Sequence, residues 1–198
     1  GGVGGEGVGG EGVARCRALV LDYEAGWAAE CDAVQAAVRA TLGRGDLGRQ
    51  SFSCQFGCTD ITVPIEDPAN CALAAALSRT RLLIASYVVA ENALKLAAAD
   101  FSFFESLLRA AAEGTVLLVL ETTHRQFPAV LAAAQRGAPG RLEVDCPSVR
   151  SNGGFSLLIR KRAGGGAAGE HRQREVQALI ERFERDALSA AARSGRRG

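Results

Sequence analysis

Short apolar runs of strand length alternate along this chain with stripes of helical spacing, and that alternation restricts the fold more than any other feature. Arg17-Ala-Leu-Val-Leu-Asp22 is an apolar run closing on an acid, the pattern of a short buried strand. Trp27, Cys31, Val34, Val38 and Leu42 follow at steps of four, three, four and four, which lays one stripe on a helix face. Gly43 stands where that helix would stop. Ser51 to Cys58 (SFSCQFGC) is a second strand, leading into Thr59-Asp60-Ile61. Asp67-Pro68 supplies a cap and then a proline for the first turn of a short helix containing Cys71, Leu73 and Leu77. Arg81 to Val89 (RLLIASYVV) is predicted as a third strand, apolar enough to be buried on both faces. Phe101, Phe104, Leu107, Leu108 and Ala111 make the next helical stripe, ended by Glu113-Gly114, and Thr115 to Leu120 (TVLLVL) reads as a strand. Phe127, Val130, Leu131 and Ala134 predict a helix; Arg141 to Val144 and Phe155 to Arg160 predict two strands around the turn Ser151-Asn152-Gly153-Gly154. Strands alternating with helices predict a doubly wound, mostly parallel α/β sheet over residues 15–162.

The two ends read differently. Gly1 to Gly12 (GGVGGEGVGGEG) contains glycine spacings like those of phosphate-cradling loops. Such loops work between a strand and a helix N-terminus, and here a strand follows instead, so residues 1–14 read as a low-complexity linker. Residues 163–198 read as a glycine-alanine linker, Gly164 to Gly169, then an amphipathic, arginine-rich helix carrying Val176, Leu179, Ile180, Phe183 and Leu188.

Composition narrows the function classes. The net charge of +1 gives no global basic field for nucleic acid or membrane. The charge is uneven: Arg150 to Gly198 holds 11 basic and 5 acidic residues, a balance of +6, against −5 for the remainder. That tail is the place where RNA would be contacted, and otherwise it is simply solvated. No run reaches the length of a membrane span. Cys54 and Cys58 are spaced C-x3-C without a second Cys/His pair, so the six cysteines are expected to be buried free thiols in a reducing, intracellular compartment, and no metal is expected. The sequence contains no methionine, and the chain is expected to be a piece of a longer protein, with any targeting segment lost.

Three places resemble the class I S-adenosylmethionine-dependent methyltransferases. VLDYEAGW (Val20 to Trp27) resembles that family's second strand, whose terminal acid binds the ribose hydroxyls of the cofactor; Asp22 is the matching residue, with Glu24 as substitute. CTDIT (Cys58 to Thr62) resembles the turn after the third strand, where Asp60 matches the acid that receives the adenine amino group. SYVVAEN (Ser86 to Asn92) sits where the family places residues beside the methionine moiety and the substrate, which makes Ser86 and Tyr87 cofactor-binding candidates. FSLLIRKR (Phe155 to Arg162) resembles the closing strand that many such enzymes insert antiparallel into the sheet. The resemblance spans about Arg17 to Arg162 and implies a Rossmann-like fold with S-adenosylmethionine as cofactor. The family's first strand and its glycine-rich turn are not recognisable, so that strand is expected upstream. The piece alone is expected to bind cofactor poorly. Asp22 and Asp60 also admit a plain role as helix caps.

Methyl transfer from a sulfonium is a direct displacement, and a base is needed only where the acceptor must lose a proton. Glu91, Glu121 and His124 are the catalytic candidates because they fall just beyond strand ends. The Asn/Asp-Pro-Pro-Tyr/Phe tetrapeptide of exocyclic-amine methylation is absent, with Ser86-Tyr87-Val88-Val89 in its place, and no Pro-Cys pair follows that strand. The acceptor is therefore unassigned. The rival readings are a catalytically silent binding or assembly module that contacts RNA, and a dinucleotide-dependent oxidoreductase fragment.

Overall fold

The computed structural model describes residues 15–42, 51–146 and 154–194, with side chains described over 17–41, 52–146 and 154–186. The Gly1–Gly12 linker, the helix stop at Gly43, the turn residues Ser151 to Gly153 and the side chains of Cys16, Leu42 and Leu188 lie outside the described residues. The chain divides into two compact units, residues 1–58 and 59–198.

The first unit is a β-α-β arrangement. Strand β1 (Arg15–Asp22) pairs in parallel with β2 (Ser51–Cys58), running from Arg15 opposite Ser51 to Asp22 opposite Cys58. Helix α1 (Ala28–Leu42) connects them after a single 3-10 turn at Ala25–Trp27. Its polar side chains link it to β2: Gln35 Oε1 accepts the Cys54 N–H at 2.6 Å, and Arg39 Nε donates to the Phe52 carbonyl at 3.2 Å. The predicted apolar stripe is only partly covered. Cys31 and Val38 are half-buried, while Trp27 and Val34 are more than half exposed.

The second unit contains α2 (Cys71–Leu77), β3 (Leu82–Ser86), α3 (Val88–Glu91), α4 (Ala93–Ala98), α5 (Ser102–Ala110), β4 (Val116–Glu121), α6 (Phe127–Gly137), β5 (Leu142–Asp145), β6 (Phe155–Lys161) and α7 (Gly166–Ser194). Its sheet has the order β3-β4-β6-β5. β3 lies parallel to β4, and β6 runs antiparallel to both β4 and β5. Leu117 and Val119 of β4 and Leu157 and Ile159 of β6 alternate into the core, the period-2 pattern of a strand with one face covered. Phe104, Leu107 and Leu108 of α5, Val130 and Leu131 of α6, and Val176, Ile180 and Phe183 of α7 are buried with them.

The protein is thus mixed α/β with two open sheets, and several expectations need correction. The described strands form two sheets, β1-β2 and β3-β4-β6-β5. The third strand is shorter than predicted and is an edge strand. It pairs only with β4 among the described strands, and Leu82 and Ile84 are more than half exposed. An apolar run is the same in sequence whether its faces are covered or not, and Val88 and Val89 belong to α3 instead. The glycine-alanine linker ends at Gly165, because Gly166 to Gly169 form the first turn of α7. The approach there is close: a Cβ on Gly169 would lie 3.2 Å from the Gly140 carbonyl oxygen. The five cysteines with described side chains are free but not buried. Cys31, Cys54 and Cys146 are half-buried, and Cys58 and Cys71 are exposed.

Two polar features organise the second unit. Lys161, buried at the end of β6, donates from Nζ to the carbonyls of Arg109 (2.9 Å) and Ala111 (2.7 Å), which satisfies acceptors at the C-terminal end of α5. Desolvation pushes its ammonium below the ordinary lysine range. Arg136 of α6 clamps α5 through Glu105 Oε2 at 2.8 Å and holds the Asp100 carbonyl at 2.7 Å. The hydrogen bond from Arg136, aided by its charge and by Arg109, holds Glu105 below the usual carboxylate range. A carboxyl depressed in the folded state lends stability above its unfolded value of about 4.3 and loses it as the pH falls through the folded value. Arg136→Met is therefore expected to lower the melting temperature at neutral pH, with a deficit that narrows, at low salt, in the window from about pH 5 down through the folded value of Glu105. A deficit that stays constant over that window would dismiss the ion pair as the cause.

Candidate functional site

The C-terminal ends of β3 and β4 lie side by side, Ser86 opposite Leu120, and five of the candidate residues fall there or just beyond. Ser86 closes β3 and is exposed. Tyr87 takes the left-handed conformation (φ 60°, ψ 9°) with its side chain half out in solvent, and its N–H donates to the Leu120 carbonyl at 2.8 Å. A non-glycine residue held in that region costs of order 1 kcal/mol or more and persists only where its neighbours enforce it. The enforcing group is Glu121. Its Oε1 accepts the N–H groups of Val89 (2.7 Å) and Ala90 (3.2 Å), so the turn is fastened to β4 on both sides of Tyr87 and Val88.

That arrangement separates the three catalytic candidates. Glu121 is 1 % exposed, with one oxygen given to backbone amides and Oε2 buried without a hydrogen-bond partner. Its Oε1 thus serves the turn. Glu91, the last residue of α3, is exposed. His124 packs its ring against Phe155 (4.8 Å between centroids) and Phe183 (5.7 Å), and its Nδ1 is buried without a partner. Phe127 joins the same aromatic cluster through Phe183.

Asp60 is the second residue of the second unit, in a loop built around its backbone. The Asp60 N–H donates to Asn70 Oδ1 at 2.9 Å, and Asn70 Nδ2 returns a bond to the Asp60 carbonyl at 3.0 Å. Asp60 Oδ1 in turn accepts from the Thr62 N–H (2.8 Å) and the Thr62 hydroxyl (2.7 Å), so part of its carboxylate is spent locally. Asp22, in the first unit, ends β1 and accepts the Glu24 N–H at 2.8 Å. Each acid thus makes a turn contact of the capping kind. Nothing in the sequence singled out Asn70: an asparagine after Asp-Pro-Ala reads as an ordinary turn residue.

Other chemistry is limited. Among the described residues no group of three or more His, Cys, Asp or Glu side chains is placed to hold a metal ion. Burial pushes the Cys146 thiol up to about 11, which keeps it from being a thiolate nucleophile at neutral pH. An open cleft of about 820 Å³ between β5 and α7 is lined by Glu143, Arg162, Arg172 and Glu175 among others, and by none of the candidate residues. Residues 166–186 of α7 carry four arginines against five acids. Arg162 is engaged with Glu143, and Lys161 is buried. Among the described residues no helix is long and apolar enough to cross a membrane. No protein-family model matches the chain, and no curated protein matches it.

Proposed function

We propose that this chain carries the greater part of an S-adenosylmethionine-dependent methyltransferase domain acting on an unidentified acceptor inside the cell. The reading is carried by the reversed strand: β6 lies antiparallel between β4 and β5, the placement that the resemblance of Phe155 to Arg162 implied. The Rossmann-like part of the reading draws on the parallel pairs β1-β2 and β3-β4, each ending where a candidate residue stands. Ligands of such sheets bind beyond the carboxyl ends of the strands.

The cofactor, when bound, supplies a methyl group on a sulfonium sulfur, transferred by direct displacement. In the second unit, Asp60 is the residue for the adenine amino group. Ser86 and Tyr87 line the methyl end, Tyr87 from a turn whose strain gives it one fixed presentation. The fit rests on the polar chemistry at Asp60: the neighbouring Thr59 hydroxyl is buried without a partner, as expected where a ligand completes the hydrogen bonding. Where the acceptor must lose a proton, the exposed Glu91 is the available base.

A catalytically silent binding module is the second reading, favoured by the immobilisation of Glu121, which leaves the site short of a buried base. Equilibrium binding of S-adenosylhomocysteine to the full-length protein decides between them. Micromolar affinity, weakened about tenfold (about 1.4 kcal/mol) by Asp60→Ala, is the outcome for the methyltransferase reading. Wild-type protein without affinity favours the silent module, and an Asp60→Ala variant that binds as well as wild type removes Asp60 from the site.

A further inference from the structure

We infer that Asn70 is the positioning residue that sets the Asp60 carboxylate, and through it the selectivity for a ligand carrying an exocyclic amino group; this rests on the methyl-donor reading above. Asn70 is 0 % exposed, and every polar atom of its side chain is used. Its Oδ1 accepts the Asp60 N–H, while Nδ2 donates to the carbonyls of Asp60 (3.0 Å), Val63 (3.2 Å) and Pro64 (2.9 Å). The side-chain amide thus pairs with both backbone polar groups of Asp60, as a neighbouring strand would, and gathers the two carbonyls that follow. Asp60 Oδ1 is fixed from the other direction by Thr62. Backbone and side chain are both determined, so a carboxylate on an otherwise irregular loop has one position.

Asn70 is itself anchored. Its N–H donates to the Asp67 carbonyl at 2.9 Å, Asp67 Oδ1 caps the Ala69 N–H at 2.9 Å, and α2 follows at once with Leu73 and Leu77 buried. Only asparagine suits the position. Aspartate lacks the N–H donors, serine lacks the reach and the second polar atom, and glutamine adds a methylene inside a fully buried site. A purely structural clamp would hold the loop without regard to what Asp60 meets. A positioning role predicts that ligand discrimination depends on it.

The test compares S-adenosylhomocysteine with S-inosylhomocysteine, whose 6-oxo group cannot donate to a carboxylate, on the full-length protein. Wild type is expected to prefer the adenosyl ligand. Asn70→Ser is expected to weaken that ligand about tenfold, to leave the inosyl ligand little changed, and so to bring the ratio near one. It is also expected to speed hydrogen exchange at the Asp60 amide. Equal weakening of both ligands would overturn the positioning role and leave a structural one. If Asn70→Ser does not fold, Asn70→Asp, which keeps the acceptor and loses the donors, carries the same comparison, and an unchanged ratio there sinks the inference. Binding of neither ligand by wild type ends the methyl-donor reading and the inference with it. An Asp60 amide as protected in the variant as in wild type ends the clamp alone.

Discussion

Gly137→Ala is expected to destabilise the second unit by about 2 kcal/mol or more, because the added Cβ has nowhere to go. Gly137 is the last residue of α6, where that helix packs on α5. A Cβ there would stand 2.0 Å from the Glu105 carbonyl oxygen and 3.1 Å from the Arg109 nitrogen. Both are backbone atoms inside a helix, so relief requires the helices to separate, and Phe104, Leu107, Val130 and Leu131 are buried in these same two helices. The gain in helix propensity from glycine to alanine, about 1 kcal/mol, acts in the opposite direction and is the smaller term. A fall of about 4–8 °C in melting temperature corresponds to that loss in a chain of this size. Gly26→Ala, which meets nothing within 4 Å, is the control and should leave stability unchanged. Equal melting temperatures for Gly137→Ala and wild type would mean that the helices do not cross this closely.

Glu121 gives the second large effect, and the choice of substituent separates its roles. Glu121→Ala removes the acceptor of two amides and leaves the Val89 N–H buried and unpaired, a loss of about 1–3 kcal/mol for such a group. The turn that holds Tyr87 left-handed loses its fastening, so amide exchange at Val89 and Ala90 should accelerate along with the drop in stability. Glu121→Gln keeps an oxygen able to accept both bonds, and places its amino group where Oε2 has no partner. Its stability is expected to stay within about 1 kcal/mol of wild type. Methyl transfer that survives Glu121→Gln fits a residue that shapes the turn. Loss of turnover in Glu121→Gln with stability and exchange intact would restore it as a proton acceptor.

The strands at Arg17–Asp22, Ser51–Cys58 and Thr115–Leu120 were legible because each is an apolar or β-prone run bounded by residues that end it. The capped proline turn at Asp67-Pro68 was legible for a local reason: Asp67 and Ala69 form that hydrogen bond within three residues. The buried stripe from Phe101 to Ala111 was equally plain, since α5 packs on a wide surface and uses its whole apolar face. The stripe from Trp27 to Val38 has the same spacing and is half uncovered, because periodicity reports which side chains share a face and says nothing of the area opposite them. The helix α4 and the close contact of Gly140 with Gly169 carried no comparable signal.

The candidate site divides in the same way. Placing Glu121 and His124 at or just beyond the end of β4 needed only the strand boundary, which is local. Their roles needed partners far along the chain: Glu121 is 31 and 32 residues from the amides it holds, and His124 meets Phe155 and Phe183. Carboxylates of identical chemistry, Glu91 and Glu121, became one exposed and one walled in, because burial is set by what packs over a residue.

By itself the sequence determined the class of fold, mixed α and β, and the positions of most elements, since hydrophobic period and turn chemistry act over a few residues. Tertiary structure alone decided that the described strands form two sheets, that β3 is an edge among them, and that Asn70 and Glu121 are spent on backbone amides and carbonyls. Each of these depends on which hydrogen-bonding groups meet across tens of residues, and such pairing leaves no periodic mark on the chain.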